Sequence, residues 1–215
     1  MLPLHEPLEV ANCAPVAHGT GILHRVFDVV CAGIGLVFLS PLFLLIAIAI
    51  KFDDGGPVFY RQTRVGKGFR NFRLSKFRSM VPTADCAGLL TAPGDGRLTR
   101  TGRWLRRYKL DELPQLLNIV AGDIQLVGSR PEVERYVEMF RHQYAELLQE
   151  RPGITDPATL LYRHEERLFR SEEIEKQYVE EILPTKLRLS IDYQQRRTFF
   201  SDLRILFQTM LGLTS

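Results

Sequence analysis

The densest group of chemically capable side chains lies in residues 103–116, RWLRRYKLDELPQL. Two adjacent acids, Asp111 and Glu112, follow Arg103, Arg106, Arg107 and Lys109, with Pro114 just behind. Carboxylates among so many cations stay ionised, which suits a nucleophile or oxygen ligands for Mg²⁺. Such a set fits phosphoryl transfer, where neutralising charge matters more than relaying protons. A structural alternative stands beside it. Aspartate ahead of a proline is a helix-start signal, so Asp111 also reads as an N-cap. The amides and dipole of that helix would themselves favour an anion.

Further along, residues 122–132, GDIQLVGSRPE, place Arg130 in a Gly/Pro turn after a strand-like apolar run. Residues 151–155, RPGIT, form a second such turn at Arg151, and Arg163 follows twelve residues later. A single arginine is ordinarily a solvated or paired surface residue. Several held in stiff turns suggest an anion site.

The elements that must position these groups begin with Val29–Ile50, VVCAGIGLVFLSPLFLLIAIAI, a run without charge. As one helix its 22 residues would be about 33 Å long, enough for a hydrocarbon core of about 30 Å. The run begins late and is followed by Lys51, Phe52, Asp53 and Asp54, not by a small-residue cleavage site, which argues against a signal peptide. Ser40-Pro41 at its middle predicts a kink or break, because proline lacks an amide donor and clashes with the carbonyl four residues earlier. The Ser40 hydroxyl offers a substitute donor there. Cations flank both ends: His24 and Arg25 before, and Lys51, Arg61, Arg64, Lys67 and Arg70 after. Because Lys and Arg favour the cytoplasmic side, a helix that returns to its own face is possible. The residues alone put a kinked span ahead of it.

Residues 57–81 alternate short apolar and basic stretches between glycines, predicting short strands or a hairpin. Residues 82–102 read as an irregular loop carrying Arg97 and Arg100, running on to Arg103. Helices are predicted over 102–109, 113–121 and 133–151, and an exposed, charged one over 165–181. From 184 to 213 the pattern is helix-forming, and its apolar end, FFSDLRILFQTMLGL, is either a core helix or one lying on lipid.

Length and composition bound these readings. The chain has 215 residues, enough for one medium domain plus a membrane segment. With 45% hydrophobic and 25% charged residues it is neither disordered, collagen-like nor multi-span. A net charge of +3 is too small to imply a nucleic-acid partner, and 25 acids balance the cations. The pI of about 8.8 suits an anionic membrane surface or phosphorylated ligands equally. Cys13, Cys31 and Cys86 form no metal-ligand spacing or disulfide framework, which points to a reducing, cytoplasmic setting for the soluble part.

Taken together, the motifs resemble the bacterial sugar transferases, the monotopic phosphoglycosyl transferases. The resemblance rests on RVFD at 25–28, Ser40-Pro41, GPVFYRQTRVG at 56–66, KFRSM at 76–80 and RLTRTG at 97–102. It continues through LDELPQL at 110–116, Gly122-Asp123, RPGIT at 151–155 and SDL at 201–203. It implies transfer of a sugar 1-phosphate from a UDP-sugar to polyprenyl (undecaprenyl) phosphate, with Mg²⁺ and a covalent intermediate. On this resemblance Asp111 is the nucleophile and Glu112 its partner acid, both at the metal. Arg106 and Arg163 hold phosphates, Arg130 serves nucleotide binding, and Arg151 belongs to the same anion site. The implied fold is α+β and mainly helical. It has a re-entrant membrane helix broken at Ser40-Pro41, a small β-hairpin and amphipathic interfacial helices. The implied division is an extension over 1–24, the re-entrant helix over 25–52 and a cytoplasmic catalytic domain over 53–215, as in the minimal members. The implied setting is the cytoplasmic face of the bacterial inner membrane, among its lipids, with downstream glycosyltransferases as further partners.

Two departures stand out. The family's Gly-Pro-Arg-Pro reads Gly128-Ser129-Arg130-Pro131, and Asp156-Pro157-Ala158-Thr159 replaces its Gly-Trp-Ala-Gln. A competing possibility is a membrane-anchored scaffold binding anionic headgroups. It would need neither Mg²⁺ nor either acid.

Overall fold

The computed structural model describes residues 21–81, 95–165, 168–169 and 173–212. Most of the expected extension over 1–24, two of the three cysteines (Cys13 and Cys86) and most of the expected loop over 82–102 lie outside them. The architecture is α+β and mainly helical, with a two-stranded antiparallel hairpin and a separate two-stranded parallel pair.

Helix α1, Ile22–Asp54, is longer than the charge-free run at both ends and stops at Gly55, whose φ of 72° makes it a left-handed cap. Its helical course is uninterrupted at Ser40-Pro41, so the expected break is absent as a break. The reason is local. Pro41 cannot donate to the carbonyl four residues earlier, that of Val37, but the Ser40 hydroxyl donates to the same oxygen at 2.8 Å. One lost bond is thereby replaced.

Along α1 a stripe of Asp28, Ala32, Ile46 and Ile50 is buried, while Val37, Phe38, Leu44 and Leu45 face outward. Only 11% of its most apolar stretch is buried, which distinguishes it from the core helix of a soluble protein. It is the membrane-associating element.

The predicted hairpin is present. Strands β1, Phe59–Val65, and β2, Asn71–Phe77, pair antiparallel with Val65 opposite Asn71 and Phe59 opposite Phe77. Helices α2, Arg100–Arg107, and α3, Gln115–Ala121, follow, so Arg100 belongs to α2 and not to the expected loop, while Arg103 lies in the helix expected from 102. Strand β3, Gln125–Val127, runs parallel to β4, Gly153–Thr155. That pairing was not foreseen. It depends on bare backbone, because a Cβ on Gly153 would lie 2.2 Å from the Gly128 nitrogen.

The helix expected over 133–151 is two, α4 (Glu134–Met139) and α5 (Arg141–Leu147), divided at Phe140, whose ψ of 36° is non-helical. Helix α6, Pro157–Leu161, is capped by Asp156, which accepts from the Thr159 amide at 2.8 Å. Part of the helix expected over 165–181 lies outside the described residues. Its helical part among the described residues is α7, Ile174–Gln177, running into a π-turn, Tyr178–Ile182. Tyr178 and Ile182 are buried, so this stretch is less exposed than its charge suggests.

The C-terminal stretch divides into α8, Leu183–Arg196, and α9, Phe199–Gly212. At the division Arg197 is extended and its guanidinium forks onto Asp202, while Thr198 and Ser201 cap each other's amides. Helix α9 buries Asp202 and Ile205 and exposes Phe200, Leu203, Phe207, Met210 and Leu211. Its apolar face points outward, away from the core.

The largest core joins Val65 to α4, α5, the π-turn and α8. Two smaller clusters include α1 itself. Ala32 packs with Leu74, Ile119 and Ile124, and Ile46 and Ile50 pack with Phe77 and Leu105. The membrane helix is thus part of the scaffold that seats β2, α2 and α3.

Candidate active site

Between α2 and α3 the chain turns at Lys109, which takes a left-handed φ of 56°, into a 3₁₀ turn, Leu110–Glu112. Asp111 and Glu112 sit on that turn. Asp111 is not the N-cap of α3. That position is Pro114, and no side chain caps the helix. The structural explanation for Asp111 therefore fails: it is 6% exposed, and its Oδ1 is buried without a hydrogen-bond partner.

Glu112 is the opposite case. Arg130 reaches it with both terminal nitrogens, Nη1 at 3.1 Å from Oε2 and Nη2 on Oε1, and Lys76 Nζ is 3.2 Å from Oε1. The two carboxyls are driven apart accordingly. Burial and then the neighbouring Glu112 charge push the Asp111 carboxyl above its usual range. Burial would raise Glu112 as well, but Arg130 and Lys76 hold it well below the usual glutamate range. Adjacent acids with opposed proton affinities are a feature of functional sites.

The surrounding elements fix this geometry. Lys76 and Ser79 extend from the end of β2: Lys76 points to Glu112, and the Ser79 hydroxyl accepts from Arg106 Nε at 3.0 Å. Helix α2 lies directly on this segment, since a Cβ on Gly102 would fall 1.9 Å from the Ser79 carbonyl oxygen. Arg78 between them forks onto Asp54 at the end of α1 and donates to the Pro57 carbonyl at 2.7 Å. Arg130 projects from the turn after β3. The next acid, Glu132, accepts from Arg64 at 2.5 Å, the Val133 amide at 2.9 Å and the Tyr178 hydroxyl at 2.8 Å.

Asp111, Glu112 and Arg130 are thus brought together, with Arg106 close enough for its charge to act on Asp111. Arg151 serves another purpose: its Nε donates to the Gly122 carbonyl at 2.8 Å, closing the chain after α3. Arg163 packs on the bare backbone of α9, where a Cβ on Gly212 would lie 1.9 Å from its Nη1. Ser40 and Pro41 lie within α1 and shape that helix. Lys76 and Ser79, both within the KFRSM motif, join the site through contacts that sequence spacing does not reveal.

Mg²⁺ usually takes one or two carboxylates and completes its octahedron with water and substrate phosphates. Asp111, with an unpartnered oxygen, supplies one such carboxylate, whereas both oxygens of Glu112 already accept from cations. Among the described residues no group of three His, Cys, Asp or Glu side chains forms a fuller cage.

The model of the bacterial sugar transferase family matches residues 19–215. The exopolysaccharide production protein ExoY of Rhizobium meliloti (strain 1021) is 33% identical over 97% of this chain and 91% of its own length. The UDP-glucose:undecaprenyl-phosphate glucose-1-phosphate transferase of Caulobacter vibrioides is 37% identical, covering 88% of this chain and 68% of that protein. The uncharacterized sugar transferase EpsL of Bacillus subtilis (strain 168) is 36% identical, covering 88% and 86%.

Proposed function

The chain belongs to the bacterial sugar transferase family, and from that premise we propose that it moves a sugar 1-phosphate from a UDP-sugar to undecaprenyl phosphate through Asp111. The observation that carries the assignment is the buried, unpartnered Oδ1 of Asp111 beside a Glu112 already engaged by Arg130 and Lys76.

In the first step an Asp111 carboxylate oxygen attacks the sugar-side phosphorus. The new O–P bond forms as the bond to the bridging diphosphate oxygen breaks, and UMP leaves with that electron pair. In the second step an oxygen of undecaprenyl phosphate attacks the same phosphorus, breaking the Asp111–phosphorus bond and giving undecaprenyl-diphosphate-sugar. Dividing the transfer in this way means that the two bulky partners never have to meet. Glu112, fixed by two cations, keeps its charge and orients the turn that carries Asp111. Arg106 and Arg130 offset charge on the transferring group and the departing phosphate. Mg²⁺ would be held by Asp111, with Glu112 beside it, and would supply further neutralisation of the phosphoryl oxygens.

We place this chemistry at the cytoplasmic face of the inner membrane, with α1 entering and leaving by that face. At about 1.5 Å per residue, α1 is about 50 Å long. Yet both of its ends are tied to the same body: Arg25 donates to Val120 and Asp28 accepts from Leu126, while Asp54 holds Arg78. A perpendicular span would pull one set of ties through the bilayer. A helix held within one leaflet keeps both, and α9 begins beside it, where Phe199 meets His24 and Phe27.

Purified full-length protein given Mg²⁺, undecaprenyl phosphate and a panel of UDP-sugars should release UMP, and the sugar accepted names the substrate. Asp111→Asn should abolish release. Activity that survives it overturns the nucleophile. For topology, single cysteines at Ile22 and Phe52, in a background lacking Cys13, Cys31 and Cys86, should be labelled from the same side in intact cells. Labelling from opposite sides restores a span.

A further inference from the structure

Asp111, Gln115 and Asn118 follow one another at spacings of four and three, which places them on one stripe of the 3₁₀ turn and α3. All three are buried, with Gln115 at 1% exposure. Buried polar groups in folded proteins are almost always partnered. Asn118 obeys this rule. Its carboxamide accepts from the Ser75 amide at 2.9 Å and donates to the Arg73 carbonyl at 2.8 Å and to Asp123 at 2.9 Å, locking α3 onto β2.

Gln115 carries the same chemical group one turn earlier and does not obey it: Nε2 is buried with no partner. The other unpartnered atom on the stripe is Oδ1 of Asp111. The two do not bond each other. One is a donor and the other an acceptor, both buried and unpartnered on successive turns of the stripe that carries the proposed nucleophile. Packing does not require a carboxamide here, because an unbranched apolar side chain would fill the same space without stranding a donor.

We infer that Gln115 is a substrate-contacting catalytic residue, whose Nε2 donates to an anionic oxygen of the phosphoryl group received by Asp111. The inference rests on Asp111 being the nucleophile. A neutral donor suits that position. It stabilises charge that grows on the phosphoryl oxygens during transfer without pairing with Asp111 beforehand, as a second arginine would. Burial keeps the amide dry and already oriented, so it needs no rearrangement as the reaction proceeds.

The test uses the full-length protein in lipid nanodiscs with undecaprenyl phosphate, Mg²⁺ and the accepted UDP-sugar. Gln115→Met keeps length and volume but removes the donor. Its kcat should fall on the order of 10²-fold with little change in KM for the UDP-sugar. Its melting temperature should stay level or rise, since a stranded donor has been removed. A kcat within about twofold of the wild type overturns the inference. So does a lower melting temperature with activity lost only in step with folded protein, the behaviour expected if Gln115 merely binds a structural water. Wild type and Asp111→Asn run alongside separate this result from the parent assignment. If Asp111→Asn remains active, both fall; if Asp111→Asn is dead while Gln115→Met matches wild type, only the role of Gln115 falls.

Discussion

Two largely buried acidic centres flank the Arg130-Pro131 turn, and they are built from the same materials. Glu132 lies in one, where Arg64, the Val133 amide and the Tyr178 hydroxyl all donate to it. Asp111 and Glu112 form the other, where Arg130 and Lys76 satisfy Glu112 and leave Oδ1 of Asp111 with nothing. Glu132 joins β1, the turn and the start of the π-segment, so its charge is spent on holding elements together. The Asp111 carboxyl holds nothing together in that sense. Burial of a charge therefore does not by itself mark a catalytic centre; a buried charge whose partners are incomplete is the sharper sign.

The comparison is open to experiment, most strongly at Asp111. Replacing it with Asn should lower turnover on the order of 10⁴-fold, read as UMP release. Thermal stability should not fall, because a carboxyl that burial disfavours is being replaced by a neutral group. At Glu132 the balance should reverse. Glu132→Gln leaves the half-buried Arg64 without its counter-charge, though still bonded to Gln62 and the Pro131 carbonyl, and should cost about 2 kcal/mol in denaturant unfolding. Its effect on turnover per folded molecule should be far smaller than that of Asp111→Asn. Equal effects of the two variants on both readouts would erase the distinction.

Acid should separate the centres next. Although burial opposes it, Arg64 and Lys186 hold the Glu132 carboxyl below its ordinary value of 4.5. A carboxyl depressed in the folded state stabilises above its unfolded value and loses that contribution as pH falls through its folded one. Stability should therefore decline as pH drops below about 4.5 and decline less in Glu132→Gln. Asp111, raised from 3.8, has the opposite sign: its contribution is present at low pH and lost as pH rises through its folded value. Asp111→Asn should consequently recover stability on the neutral side. The smallest effect belongs to Tyr178→Phe, which removes one of three donors to Glu132 and should cost about 1 kcal/mol with turnover intact.

Much of this was legible in the sequence because it is local. Val29–Ile50 declares its environment by the absence of charge, residues 57–81 alternate as a hairpin must, and the LDELPQL run places two acids side by side. Even the substitution of Ser40 for the missing Pro41 donor is a matter of neighbouring residues. Where local signals misled, packing had overruled them. The continuous helical pattern of 184–213 breaks at Arg197 because the Asp202 fork and the Thr198–Ser201 caps outweigh one more helical turn. The charged stretch near 178 is half-buried because Tyr178 is required at Glu132.

The sequence by itself determined which residues could react and that one helix would seek a membrane, since composition and spacing carry both. Only the tertiary structure decided which cations serve the site. Lys76 and Arg130 reach Glu112 across 36 and 18 residues, while Arg151, in an equally suggestive turn, closes the loop after α3 instead. Tertiary structure also decided that both ends of α1 meet the same body and that Gln115 is stranded while Asn118 is satisfied. Distances between residues far apart in the chain are set by how the cores pack, and a hydrogen bond is lost or made within half an ångström.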